Sequence, residues 1–405
     1  LDDLVKEFKR VLRHPLADGM TLDEFPGWGH PGYEMWTKAV RRIQADQTFA
    51  TKRLYPYCAT LYGWDAPVAF TKAIVDSDYR IVWERYLSEA PTQLAARRFI
   101  FASLGERMRL WEKYIPGVTS KMILCPNLFT SPSLTADVDP AVDYLVFMDM
   151  RFNHLANDSA FWGVAGVLPW GAAYADEEVF RWLGKLYRHY CIEGKTEMLT
   201  SAEPSPKGKS PDTLYRREYK LTHLGNGNFA ADLDGWTVLP GDKGTIEART
   251  ELGFDRVMGQ WSPAIQRDSF CWMKRDQWAP NTIVQKIKNL QPNRFYSLRF
   301  YTRDFREPET RKELCVSATI TPAEIIPEKS FQHVYTSYSG GKGWLNFHRL
   351  VFRAESSTAR LEISDWKMEP GRPFFSGEEG HVYIGAPEGQ EIMITSVQVQ
   401  PYMAD

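Results

Sequence analysis

Two acidic positions offer the most definite chemistry in the sequence: the doublet Asp23-Glu24 in DGMTLDEF, and Glu84 in RIVWERYLSE. Each lies at or near the end of a run with strand character, where a side chain leaves a sheet and meets solvent. Two carboxyl groups facing one bond can divide the work, one giving a proton and the other acting as base or nucleophile. Glu89 competes with Glu84, and period-2 alternation alone leaves open which of Asp23 and Glu24 points inward. The competing reading is structural: these acids cap helices or pair with Arg85.

Other residues at strand ends are positioning groups. Tyr57, Asn127 and Trp170 close strand-like runs, while Trp28 and His30 stand in the loop PGWGHPG, whose glycines allow close backbone approach. Aromatic residues make up 14% of the chain and include 14 Trp, and flat rings with polar rims suit sugar faces as well as protein cores. His154 falls on a helical pattern and reads as a packing residue. There is no HExxH, GxSxG or P-loop motif, so zinc hydrolysis, serine esterase chemistry and nucleotide chemistry are poor fits, and no metal is called for. The five cysteines are scattered without a CxxC pair, and most of them read as buried small hydrophobes.

Helices and strands alternate through the first half, as in βα units feeding a parallel sheet or barrel. Helical patterns cover 1–12, 33–46, 66–75, 93–114, 140–155 and 176–190, and strand-like runs cover 19–25, 54–62, 79–87, 122–128 and 164–170. Residues 200–218, opening TSAEPSPKGKSP, read as a linker. Beyond them, short runs rich in Val, Ile, Thr, Tyr and Phe between Gly, Pro and Asn clusters predict an all-β unit over 219–405. Its exposed aromatic candidates are Trp261, Trp272, Trp278, Tyr338 and Trp344, the last placed at a loop tip in SGGKGW, while Trp236 and Trp366 read as core.

Charge narrows the function classes. Lys and Arg number 49 against 51 Asp and Glu, with no basic block, so the electrostatic footprint of a nucleic-acid binder is missing. The uncharged, largely apolar stretch 161–175 falls short of the roughly 20 apolar residues that span a bilayer. The chain opens Leu1-Asp2-Asp3, without an initiator Met or a basic-then-apolar leader pattern.

DGMTLDEF, the strand-terminal Trp in GVLPWGAAYADEE and the helix RWLGKLYRHYCIEG together resemble the latter part of a barrel-type glycoside hydrolase. The second half, opening GNGNFAADLDGW and closing ITSVQVQPY, resembles carbohydrate-binding jelly rolls. The fold this implies is a (β/α)8-type barrel over 1–199, lacking its first strands, followed by a β-sandwich. Counted back from a closing eighth strand, Glu24 and Glu84 fall on strands four and six, from which barrel glycosidases similar to α-galactosidases and α-fucosidases take their two acids. The activity implied is hydrolysis of a glycosidic bond in an oligo- or polysaccharide. An Asp-Glu doublet is also similar to that of substrate-assisted hexosaminidases, where Glu protonates the leaving oxygen and Asp orients an acetamido group. A second class of function is a non-catalytic glycan-binding or cell-surface structural protein.

The resemblance further implies Trp170 as a stacking floor for the sugar, no cofactor beyond room for a structural calcium in the β-sandwich, and an extracytoplasmic or secreted location. A barrel of this type takes about 250 residues and eight strands, so another chain or a preceding segment is expected to complete it.

Overall fold

The structure is a computed structural model. It describes residues 1–405 except 131–134, 138, 172–173, 201–218, 252–267, 311–315, 337–342, 366–388 and 404–405, and only the backbone of 331–336. Nearly all of the expected linker, with Trp261, Cys315, Tyr338 and Trp366, lies outside the described residues.

The first half is built from β1 (Gly19–Phe25), β2 (Arg53–Cys58), β3 (Ile81–Arg85), β4 (Met122–Pro126) and β5 (Gly166–Val167). They form one parallel sheet in the order β1-β2-β3-β4-β5. Helices α1 (Asp2–Leu12), α2 (Tyr33–Ala45), α3 (Asp65–Val75), α4 (Gln93–Ile100), α5 (Arg107–Tyr114), α6 (Tyr144–Asn157) and α7 (Glu177–Leu186) precede, connect and follow the strands. The π-helical turn Phe101–Glu106 joins α4 to α5. The first helix shows how local sequence and packing agree. Val5, Phe8 and Leu12 recur on one buried face, with Asp2 and Asp3 in the first turn and Lys9 and Arg10 in the last, complementing the helix dipole.

Strand order equal to chain order means that each unit adds to the same growing edge, as in a barrel wall. The wall does not close. Among the described residues β1 pairs only with β2, and β5 only with β4, so in place of the barrel lacking its first strands that the sequence suggested there is a five-stranded parallel sheet. Alternation then gives the sheet two different faces. Leu54, Cys58, Ile81, Trp83, Met122 and Leu124 enter the core shared with the helices. Thr21, Asp23, Tyr55, Tyr57 and Glu84 alternate with that set and belong to the opposite, open face.

The second half contributes β6 (Thr237–Leu239), β7 (Ile246–Thr250), β8 (Ser269–Lys274), β9 (Thr282–Ile287), β10 (Phe295–Asp304), β11 (Ser317–Thr321), β12 (Ala323–Ile325), β13 (Phe331–Thr336), β14 (Trp344–Ala354), β15 (Ala359–Ser364) and β16 (Glu391–Pro401). One sheet runs β12-β14-β10-β16-β8-β7, with β13 also pairing β14; the other runs β11-β15-β9-β6. Their pairings are antiparallel, and the sheets enclose a core that includes Trp236, Leu298, Phe300, Phe352, Leu361 and Ile394. Tyr219 packs in the first-half core and Lys220 bridges to Val142, whereas His223 Nδ1 donates to Lys288 O of the sandwich at 2.8 Å.

Two aromatic expectations are corrected here. Trp344 is half-buried and opens β14, its N–H donating to Pro308 O at 2.8 Å, instead of standing on a loop tip. Trp272 is buried; its Nε1 donates to Glu391 at 2.9 Å, and the Arg249 guanidinium lies 3.5 Å from its ring centroid. Trp278 is 79% exposed and Trp236 is buried.

Candidate functional site

The doublet sits on a distortion of β1. Leu22 pairs with Pro56 and Phe25 with Cys58, so Asp23 and Glu24 together face the single residue Tyr57, which is a β-bulge. Glu24 occupies the left-handed region at φ 55°, and its N–H donates to Asp23 Oδ1 at 3.1 Å. A glutamate held there strains the backbone by about 1–3 kcal/mol, and bulges re-aim side chains near sites. Both carboxylates reach solvent.

Glu84 lies two strands away on β3, across roughly 10 Å of sheet at the usual strand spacing. Its carboxylate accepts the Tyr86 O–H at 2.6 Å. Burial pushes the Glu84 carboxyl above its ordinary range, the Tyr86 bond draws it partly back, and the charges of Asp23 and then Glu24 push it up again. Both members of the doublet therefore lie within electrostatic reach of Glu84. Asp23 has the larger effect of the two, and the alternation of β1 places it on the open face with Tyr57 and Glu84. Arg85 points away, its Nε donating to Ser103 O at 3.0 Å, so it is not the partner of Glu84. Glu89 is buried and accepts the Asp139 N–H at 3.1 Å, tying down a connection instead of joining the acids.

Aromatic residues wall the β3 and β5 side. Tyr86 stacks on Trp170 at 5.9 Å between centroids, Trp170 stacks on Tyr174 at 5.9 Å, and Phe129 meets Trp170 edge-on at 5.6 Å. Trp170 is 39% exposed, so part of one ring remains open. On the other side Trp28 and Trp64 are both more than half exposed, and a Cβ on Gly29 would lie 3.0 Å from the Trp64 ring. His30 stacks on Trp36 at 5.1 Å and accepts the Gly32 N–H at 3.0 Å, so its ring is committed to packing the loop.

Asn127, expected to contact a ligand, is corrected to a structural role. It is fully buried, its Oδ1 accepts from Arg151 at 2.6 Å and from the Leu87 N–H at 3.0 Å, and its Nδ2 donates to Leu87 O. Tyr86, Tyr174 and Cys125 are members of the group that sequence reasoning missed. Tyr86 had a legible signal, because it stands two residues after Glu84 in an extended run and shares its side. Cys125 had none; burial and Glu84 push its thiol up to about 12, so it is a neutral wall. Among the described residues, no group of three or more His, Cys, Asp or Glu is placed to hold a metal ion.

A cavity of about 540 Å³ lies elsewhere, outside the sheet between α4 and α6. Arg109 and Asp158 meet there in a two-bond pair at 2.6 and 3.1 Å, and burial lowers the pKa of His154 beside them. The charges are matched within the wall, so the strand-end carboxylates remain the stronger site on chemical grounds.

No family model matches the chain, and no curated protein matches it. Solved structures give distant likenesses. A carbohydrate-binding module in complex with β-1,4-galactotriose is 13% identical, covering 44% of this chain and 97% of its own, at a TM-score of 0.24. A putative sugar binding protein from Bacteroides thetaiotaomicron is 10% identical, covering 44% of this chain and 98% of its own, at 0.24. The enzymatically active domain of a tailspike protein from bacteriophage CBA120 is 9% identical, covering 87% of this chain and 38% of its own, at 0.28. Scores of this size do not establish a shared fold.

Proposed function

We propose that the chain is a carbohydrate-active hydrolase that cleaves a glycosidic bond at the carboxyl ends of the parallel strands. The observation that carries this reading is the triplet Asp23, Glu24 and Glu84, in which the half-buried Glu84 has its carboxyl raised and the other two reach solvent. In this scheme Glu84, protonated, gives its proton to the leaving glycosidic oxygen as the C–O bond breaks. The Asp23 carboxylate attacks the sugar carbon or takes a proton from the attacking water, with Glu24 next to it on the bulge. Carboxyl groups about 5 Å apart would retain anomeric configuration, and a gap of 6.5–9.5 Å would invert it. The partly open ring of Trp170 would stack on the sugar, with Tyr57 beside the acids and Trp28 at the rim. The raised carboxyl of Glu84, on a strand apart from the doublet, favours the two-carboxylate scheme over the substrate-assisted one.

A non-catalytic glycan-binding role is the second reading, and the edge of β1 favours it because no other described strand pairs with it to wall that side of the site. One experiment separates the two. An oligosaccharide array identifies a retained glycan, and release of reducing ends from it is then followed for the full chain, Glu84→Gln and Asp23→Asn. The hydrolase reading expects both variants to keep binding while turnover falls by about 10²-fold or more. Binding without any cleavage by the unaltered chain would leave the binding role, and no retained glycan would overturn both.

A further inference from the structure

The contact between the two halves is built from buried charge and leads directly to the aromatic wall. Arg299 of β10 is 1% exposed; its guanidinium reaches Asp137 at 2.9 Å, Asp176 at 2.8 Å and Glu178 at 3.5 Å. Arg349 of β14 reaches Asp176 at 3.1 Å and Glu178 at 3.0 Å. Gln398 adds a bond to Asp137 at 3.1 Å, and the Met403 N–H donates to Glu178 at 2.7 Å. Every acid in this set belongs to the first half, and both arginines belong to the sandwich.

Asp176 is the link to the site. Its N–H donates to Thr130 Oγ1 at 3.3 Å, and the Thr130 hydroxyl donates back to Asp176 Oδ1 at 3.4 Å. The Thr130 N–H donates to Tyr174 O at 2.7 Å, and the Tyr174 N–H donates to Gly171 O at 2.8 Å. Trp170 is itself pinned to β4, giving its N–H to Pro126 O at 2.9 Å and accepting the Leu128 N–H at 3.1 Å. The two rings of this segment, Trp170 and Tyr174, are the ones stacked in line with Tyr86, the hydrogen-bond partner of Glu84.

We propose that Arg299 and Arg349 of the sandwich are positioning residues for the site: they fix Asp176, and Asp176 through Thr130 sets Tyr174 against Trp170, the ring that stacks on Tyr86. The sandwich is thus a structural part of the first half's ligand surface, in addition to any binding of its own. The ligand it would orient is a sugar ring, a step that rests on the function proposed above. The arrangement explains why two cations from one domain are sunk among three acids of the other. An Arg fork bridges two carboxylates at fixed angles, which a lysine point charge would not do.

The test uses the full chain. Removing Arg299 would leave buried carboxylates short of a partner and could unfold the protein, so the informative change is Thr130→Val, which cuts the link and leaves the charges paired. Thr130→Ser restores the hydroxyl. The stacked Tyr86, Trp170 and Tyr174 rings should give a near-ultraviolet circular dichroism band, identified as the signal lost in Trp170→Phe. Thr130→Val should fold, lose that band and bind the array-identified oligosaccharide about tenfold more weakly, and Thr130→Ser should recover both. Arg349→Lys should follow Thr130→Val. A band retained in Thr130→Val overturns the positioning role whether or not a sugar binds. A band lost in a protein whose unaltered form binds no glycan upholds the positioning role and overturns the sugar reading.

Discussion

Glu84 and Tyr86 form the most sharply defined pair in the site, because one hydrogen bond connects the group that would give the proton to the ring that flanks the ligand surface. The bond favours the ionised carboxylate, whereas burial and Asp23 favour the neutral acid. The signs of two substitutions follow. Tyr86→Phe removes the only stabiliser of the charged form among these influences, so the Glu84 pKa should rise and the alkaline limb of the pH–rate profile should move to higher pH. Asp23→Asn removes a like charge, so residual activity or a carboxyl infrared titration should show Glu84 titrating at lower pH. Shifts in the opposite directions would mean that the carboxyl reported is not Glu84, or that it does not face Asp23.

At the scale of the element, the bulge in β1 and the turn after β5 are where backbone geometry serves the site. Glu24 holds a positive φ that a glycine adopts freely and a β-branched residue resists. Glu24→Gly should change folding stability by no more than about 1 kcal/mol, since relief of strain offsets the greater freedom of the unfolded chain. Glu24→Val should cost more than Glu24→Gly in the same denaturant titration. Gly171 is more demanding. It has φ 95°, and a Cβ there would lie 2.3 Å from the Phe129 ring. Gly171→Ala should therefore destabilise by about 2–4 kcal/mol, combining backbone strain with overpacking, and should displace Phe129 from its edge-on contact with Trp170. An unshifted denaturation midpoint for Gly171→Ala would show that the turn relaxes without cost.

Across the whole molecule, the charge cluster makes the join between the halves sensitive to pH. Burial pushes Glu178 from 4.5 up to about 7, against the pull of Arg349 and Arg299, and the Asp176 charge adds to the rise. A carboxyl raised on folding binds its proton more tightly in the native state. Its stabilising contribution is complete below the unfolded value of 4.5 and is lost as pH climbs through 7. Asp176 runs the other way, because the two arginines hold it below its ordinary value and its contribution fades only in acid. Denaturant midpoints measured from pH 4.5 to 7 should thus show a falling component that Glu178→Gln removes; an identical slope in that variant would assign the dependence to other groups. The sandwich itself should survive isolation. Its core from Phe229 to Val399 lies entirely within the second half, and Arg299 and Arg349 would simply become solvated. Residues 222–405 alone should unfold cooperatively, and a chain fragment soluble only when joined to the first half would contradict this.

Periodicity determined most of the elements. The runs at 19–25, 54–62, 79–87, 122–128 and 164–170 each overlap a strand, and the long helical pattern over 93–114 corresponds to α4, a π-helical turn and α5. These patterns are local: burying one face of a strand or helix demands apolar residues at spacing 2 or 3.6, whatever the partner. The same logic placed Asp23, Glu24 and Glu84 at strand ends. It left undecided which of the doublet turns inward, because the bulge breaks the alternation on which that choice depends. The count of five strand-like runs in the first half was legible, but a parallel strand is equally apolar in a barrel and in an open sheet, so only the pairing of β1 and β5 shows that these five form an open sheet among the described residues. Asn127 looked like a ligand contact for a similar reason. A polar side chain at a strand end reads the same whether it meets solvent or the buried guanidinium of Arg151, 24 positions further along the chain. The tertiary structure alone decided that Arg299 and Arg349 meet Asp137, Asp176 and Glu178, because ion pairs between residues more than 120 positions apart leave no periodic trace in the sequence.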